Sequence, residues 1–158
     1  MTLKQGITAP TFSLPDQNGK LHKLSDYKGK YLLLYFYPKD DTPGCTTEAC
    51  TIRDAWTKFK KAKLEVVGIS VDSVKSHDKF VKKYELPFTL LADEEKKVVN
   101  AYGLWGPKTF MGKLYQGTAR SSFLIDPKGK IVKIYEKVKP DEHAEEVLKD
   151  LEELKKHG

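Results

Sequence analysis

Cysteine is scarce in this sequence of 158 residues, which has only Cys45 and Cys50. Two are too few to staple a secreted scaffold and too few for a four-cysteine zinc site. Arginine is equally scarce: of 28 basic residues, only Arg53 and Arg120 are not lysine. Long apolar runs are missing too. The longest, Tyr31 to Tyr37, has seven residues, whereas a membrane span needs ~20. The opening MTLKQGITAP has neither an apolar core nor an Arg-rich amphipathic pattern, so no export or transit segment is expected. These absences predict a soluble cytoplasmic chain, one domain over residues 1–158, with a core large enough to need no disulfide staple.

Charge, by contrast, is plentiful, at 32% of residues with a formal net charge of +6. A nucleic-acid partner is not expected, because such sites favour arginine with interleaved aromatics. Here lysines are spread along the chain among 22 acids. The densest stretch, Lys58 to Lys63, ends an apparent helix, where cations meet the negative end of the dipole. Abundant lysine with little arginine also fits heat adaptation.

Pro and Gly fall singly between periodic segments, and no repeat or linker divides the chain. Residues 12–22 read as two short strands around an Asn18-Gly19 turn. Tyr31 to Tyr37 and Leu64 to Val71 are continuous apolar runs suited to central parallel strands covered on both faces. A helical pattern lies between them, and a second runs from about Ser73 to Tyr84, capped by Asp72 or Ser73. Pro87 to Leu91 reads as a third strand, followed by a short helix from Glu94 to Tyr102. The stretch from Trp105 to Lys113 reads as an irregular connection with exposed aromatics, packed on the sheet edge, lining a substrate mouth or docking a partner. Ser121 to Ile125 and Lys130 to Tyr135 flank a turn at Asp126-Pro-Lys-Gly. The last helix puts Val147, Leu148, Leu151 and Leu154 on one face, with Glu145 and Glu146 early and Lys155, Lys156 and His157 late. This order predicts an α/β fold of thioredoxin-like type, with an N-terminal β-hairpin extension and a mixed central sheet carrying helices on both faces.

Both cysteines fall on the first of these helices. Thr42 then Pro43 reads as N-cap and first helical residue, which puts Cys45 third, among free N–H groups at the positive helix end. That position favours a thiolate, and it lies beyond the carboxyl end of a central strand, where open α/β sheets bind ligands. The alternative is an inert buried cysteine. Cys45 shares a face with Ala49, Ile52, Trp56 and Phe59, whereas Cys50 is rotated by about 140° and displaced ~7.5 Å along the axis. A disulfide tolerates at most ~7 Å between Cα atoms, so a bond between the two requires this turn to unwind. Otherwise Cys50 only fills surface space. His22, His77, His143 and His157 show no ligand spacing with a cysteine, so no metal is expected.

The string from Tyr35 to Cys50, with Pro38, Thr42 and Cys45 at its heart, resembles the peroxiredoxin active-site motif in the bacterioferritin comigratory protein, or peroxiredoxin Q, branch. The likeness extends from Ala9-Pro10 through Arg120-Ser-Ser-Phe-Leu-Ile-Asp126 to the last helix. It implies a thioredoxin-dependent thiol peroxidase acting on hydrogen peroxide and organic hydroperoxides, without haem, flavin or metal. By the same resemblance Cys45 is the peroxidatic nucleophile and Cys50 the resolving thiol, joined after turnover as a Cys45–Cys50 disulfide. Thr42 hydrogen-bonds the thiolate or the peroxide, Pro38 shields the thiolate, and Gly44 belongs to the same motif. Arg120, expected at the head of an alternating strand, is the cation, because a planar guanidinium reaches sulfur and peroxide oxygens together. Glu48 orients an arginine or simply suits the helix N-terminus, and Arg53 reads as a half-exposed helix residue. A monomer is expected. The rival readings are a disulfide exchanger without peroxidase chemistry and a redox-switched holdase or Lys-rich binding module.

Overall fold

The computed structural model describes residues 3–157, apart from the side chains of Phe110 and His157, so the expectation for the His157 side chain lies outside them. A hairpin of β1 (Ser13–Pro15) and β2 (Leu21–Lys23) precedes β3 (Tyr31–Phe36). Helices α1 (Pro43–Asp54) and α2 (Trp56–Lys61) lead to β4 (Leu64–Ser70), and α3 (Val74–Tyr84) leads to β5 (Thr89–Ala92). The short α4 (Lys97–Ala101) is followed by a second hairpin, β6 (Trp105–Phe110) and β7 (Lys113–Thr118). Strands β8 (Ser121–Ile125) and β9 (Ile131–Tyr135) and helix α5 (His143–His157) complete the chain.

The main sheet runs β5-β4-β3-β8-β9. Its first three strands are parallel, β8 pairs antiparallel with β3, and β9 pairs antiparallel with β8. β3 sits at the centre, and its alternation divides the core. Leu33, Tyr35 and Tyr37 face one apolar cluster with Cys45, Ala49 and Ile52 of α1, Phe59 of α2, Phe80 of α3, and Val147 and Leu151 of α5. Leu32, Leu34 and Phe36 face the other cluster, with Phe12, Leu14, and Val98 and Val99 of α4. Helices therefore cover both faces, as the continuous apolar runs require. Each fully buried Leu or Phe contributes on the order of 1.5–3 kcal/mol.

Local chemistry sets the boundaries. The Asp16 carboxylate accepts from the N–H groups of Asn18 and Lys20 at 2.8 and 2.9 Å, closing the first hairpin at Gly19. Ser73, not Asp72, caps α3, its hydroxyl accepting from Ser76 N–H at 3.1 Å. The helical pattern between β3 and β4 breaks at Ala55 into α1 and α2. The helix expected from Glu94 begins only at Lys97, because the buried Asp93 carboxylate accepts from Val98 and Val99 N–H and Lys96 adopts a left-handed conformation. β8 does not alternate in exposure; between β3 and β9 it is buried throughout.

The segment from Trp105 to Lys113 is not irregular. It forms the β6–β7 hairpin, turning at Met111 and Gly112, both with positive φ. Two such residues make the turn type that suits the twist of a two-residue hairpin. Gly106, Pro107 and the lysines obscure any period-two pattern, and the exposed face of β7 buries little that would reveal it.

Gly68 of β4 lies in register between Tyr35 and Leu90. A Cβ there would stand 2.8 Å from Tyr35 Cζ and 2.8 Å from Leu90 Cδ2. Gly68→Ala is expected to cost about 1–3 kcal/mol by overpacking, read as a Tm lowered by roughly 2–4 °C per kcal/mol in thermal unfolding.

Candidate active site

The loop between β3 and α1 is fixed before the helix begins. The buried Asp40 carboxylate accepts from Tyr37 Oη at 2.6 Å and Ser76 Oγ at 2.8 Å, and faces His77 Nδ1 at 2.7 Å. Asp40 N–H donates to Asp72 Oδ2 at 2.9 Å. The other nitrogen of His77 faces Leu91 carbonyl oxygen at 2.9 Å and so must carry a hydrogen. Next along the loop, Asp41 has φ 55 and is held by Lys83 and Tyr84. Asp40, Asp72 and His77 are the metal-ligand-like cluster among the described residues. Their facing atoms are already engaged in this hydrogen-bonded clamp between the loop and α3.

Thr42 holds the N-cap position with extended backbone, Pro43 follows, and Cys45 is third in α1. The expected side-chain cap is not formed. The Thr42 hydroxyl donates to Lys39 carbonyl oxygen at 2.9 Å, because the tight turn back to Lys39 offers it a nearer acceptor. It therefore does not donate to the sulfur, although its oxygen lone pairs remain able to accept. With no side chain capping α1, the first-turn N–H groups have no intrahelical partner and leave the positive helix end open toward the thiol.

Across the sheet, Arg120 reaches over this helix start from the head of β8. Its Nη2 donates to Cys45 Sγ at 3.2 Å, and its Nη1 donates to Glu48 Oε1 at 2.7 Å. Cys45 and Glu48 are separated by three residues and so lie on one helical face, both buried at 2% and 0% exposure. Burial acts against the Arg120 charge, yet Cys45 and Glu48 outweigh it and hold the guanidinium above its ordinary value. Burial also pushes the Glu48 carboxyl up to about 7, although Arg120 pulls it back down. Gly44 leaves the room this needs: a Cβ there would lie 2.9 Å from Arg120 Nη2.

The Tyr35 hydroxyl, Lys108 and the bare second oxygen of Glu48 were not legible in the sequence. The Tyr35 hydroxyl and Glu48 Oε2 are buried without a partner. Burial keeps Tyr35 well above its ordinary value, reinforced by Glu48 and Cys45. Lys108 of β6 donates to Thr118 carbonyl oxygen at 2.9 Å. Burial and then Arg120 lower it, while Cys45 acts the other way. Lys108 stands in a segment read as irregular, so no pattern marked it.

The structure thus brings together Cys45, Glu48, Arg120 and Gly44, with Thr42 at the helix cap and Pro38 half-buried in the preceding loop. Cys50 is half-exposed on the same unbroken helix, and both thiols are free. Arg53 belongs elsewhere, donating to Tyr84 carbonyl oxygen at 2.7 Å and so tying α1 to the end of α3. His143 faces Ser122 Oγ at 2.8 Å and Glu146 Oε1 at 3.0 Å. His22 lies in the first hairpin against Asp16 and Tyr27. Gly44→Ala is expected to displace the guanidinium from Cys45 and slow alkylation of its thiol by iodoacetamide about tenfold with the fold intact; alkylation kinetics and circular dichroism check the two halves of this.

Comparison with known proteins identifies relatives of this chain. Residues 6–134 match the AhpC/TSA family. The chain is 47% identical to Peroxiredoxin Bcp of Bacillus subtilis, with 98% of each chain covered. It is 48% identical to Peroxiredoxin Bcp of Escherichia coli, covering 96% of this chain and 97% of that one. Among solved structures, the bacterioferritin comigratory protein of Xanthomonas campestris superimposes with a TM-score of 0.87 at 37% identity, covering 94% of this chain and 98% of the other. With its cysteine at the start of α1 under the arginine that precedes β8, the chain belongs to the AhpC/TSA family, in the branch of bacterioferritin comigratory protein and peroxiredoxin Q.

Proposed function

We propose that this chain is a thiol peroxidase in which Cys45 reduces hydroperoxides and Cys50 resolves the product. The observation that carries this reading is Arg120 Nη2 at 3.2 Å from Cys45 Sγ, beside an uncapped helix start. A guanidinium and free N–H groups together stabilise a thiolate and polarise the peroxide that it attacks. The thiolate takes the terminal peroxide oxygen, the O–O bond breaks, and Cys45 becomes a sulfenic acid while the remaining fragment leaves as alkoxide or hydroxide. The Thr42 oxygen accepts from the peroxide hydroxyl, and Pro38 limits the access of water. The Xanthomonas relative is described through its alkyl peroxide reduction activity, which supports organic hydroperoxides as substrates beside hydrogen peroxide.

Resolution requires movement. Five residues along a helix separate the thiols by about 7.5 Å in rise alone, beyond disulfide reach. The first turns of α1 open, the Cys50 sulfur attacks the Cys45 sulfenic sulfur, the S–O bond breaks, and the Cys50 thiol proton joins the departing hydroxyl as water while the disulfide forms. A thioredoxin-like dithiol then reduces it by exchange. Because both thiols lie on one helix, the cycle is complete within a monomer. A cytoplasmic location suits a cycle that depends on a supply of reduced dithiol. Disulfide exchange without peroxide gains nothing from cysteines on opposite helix faces under a half-buried arginine.

In single-turnover assays, Cys45→Ser is expected to abolish peroxide consumption. Cys50→Ser should consume one equivalent and stop as a sulfenic acid trappable by dimedone. Peroxide consumption that survives Cys45→Ser would overturn the reading. Arg120→Lys cannot donate to Cys45 and Glu48 through a planar fork, and its peroxide step should slow about 100-fold, measured by stopped-flow fluorescence.

A further inference from the structure

The site holds two acidic groups and one guanidinium touching both. Arg120 donates to Cys45 Sγ and Glu48 Oε1, and the second Glu48 oxygen is enclosed without a partner. Glu48 is fully buried. A carboxylate with a bare buried oxygen is costly, and a proton on the carboxyl lowers that cost by removing the charge. Burial accordingly pushes Glu48 up to about 7 against the pull of Arg120. Once Cys45 is a thiolate, one guanidinium faces two negative charges in an enclosed space. It balances only one of them.

The groups that face this site from other elements do not restore the balance. Tyr35 of β3 is held neutral by burial. His143 of α5 is pushed down by burial and bonds to Ser122 and Glu146. Asp40, in the loop before α1, is occupied by Tyr37, Ser76 and His77. Lys108 of β6 is fixed on Thr118 carbonyl oxygen, and its charge is disfavoured by burial and by Arg120.

We infer that Glu48 is the proton store of the peroxide step: it carries a proton while Cys45 is a thiolate and gives it up when Cys45 becomes a sulfenic acid. This rests on the reading of Cys45 as the attacking thiol. Before the reaction the charges are the thiolate, the guanidinium and a neutral carboxyl. Afterwards sulfur is neutral, and the guanidinium pairs with the Glu48 carboxylate alone. The enclosed site is neutral on both sides of the step. Sulfur is oxidised by two electrons as the S–O bond forms and the O–O bond breaks. The proton from Glu48 ends on the leaving oxygen, giving water or an alcohol. Glu48 therefore does more than position Arg120: it supplies the proton at the moment the thiolate charge disappears.

Proton counting tests this. Reduced wild type and Glu48→Gln, whose amide oxygen still accepts from Arg120, are mixed with hydrogen peroxide in weak buffer containing a pH indicator. The pH is set about one unit below the Glu48 value of about 7, where about nine-tenths of the carboxyl carries its proton, and thiolate absorbance gives the amount of thiolate consumed. Wild type is expected to take close to no protons from solution per thiolate, and Glu48→Gln about one. Equal uptake by the two proteins would overturn the inference. Infrared difference spectra of wild type alone should show a protonated carboxyl band lost on oxidation, and an unchanged carboxyl region would also overturn it. Dimedone trapping in both proteins separates this from the reading beneath it. A sulfenic acid at Cys45 with equal proton uptake defeats only the proton store, whereas no sulfenic acid at Cys45 defeats both.

Discussion

The guanidinium of Arg120 is the interaction on which the site depends. It bridges Cys45 Sγ and Glu48 Oε1 at 3.2 and 2.7 Å, linking the first turn of α1 to the head of β8. A lone charge in such a position would be expensive to bury. Here the sulfur and the carboxylate on one helical face compensate it, and Gly44 gives up its side chain to let it approach. The contact that holds the helix start against the sheet is, in the proposed function, also the one that prepares the thiol for chemistry.

The surrounding fold makes that contact reproducible. β3 is buried on both faces and delivers the loop, and the Asp40–His77 clamp ties the loop to α3. Ala49 and Ile52 anchor the inner face of α1 in the core. The outer face, with Cys50 and the threonines whose hydroxyls bond back along the helix, contributes less to the core. α1 thus combines a well-packed inner stripe with an uncapped first turn. That suits the local opening that the proposed Cys45–Cys50 disulfide needs, without unfolding of the domain.

Much of the fold was legible because apolar periodicity is dictated by burial. The uninterrupted runs of β3 and β4, the Asn18-Gly19 and Asp126–Gly129 turns and the apolar face of α5 all appear where expected. The failures share a cause. The late start of α4 depends on the Asp93 carboxylate collecting N–H groups. The break at Ala55 leaves the apolar face in phase, and the β6–β7 hairpin is polar and exposed over most of β7. None of these is controlled by a buried stripe, which is the main signal that a linear pattern carries.

At the site, the sequence alone determined the helix position of Cys45 and the opposite orientation of Cys50, because helical spacing is a local property, and it singled out Arg120 as one of only two arginines. Only the tertiary structure decided that Arg120 spans 75 positions to reach Cys45. It also decided that Glu48 is buried with one free oxygen, that Lys108 stands near the same cation, and that the Thr42 hydroxyl turns back to Lys39. Burial and the sharing of a charge between distant segments are properties of the packed chain. They set the electrostatics of the thiol, and no spacing along the sequence encodes them.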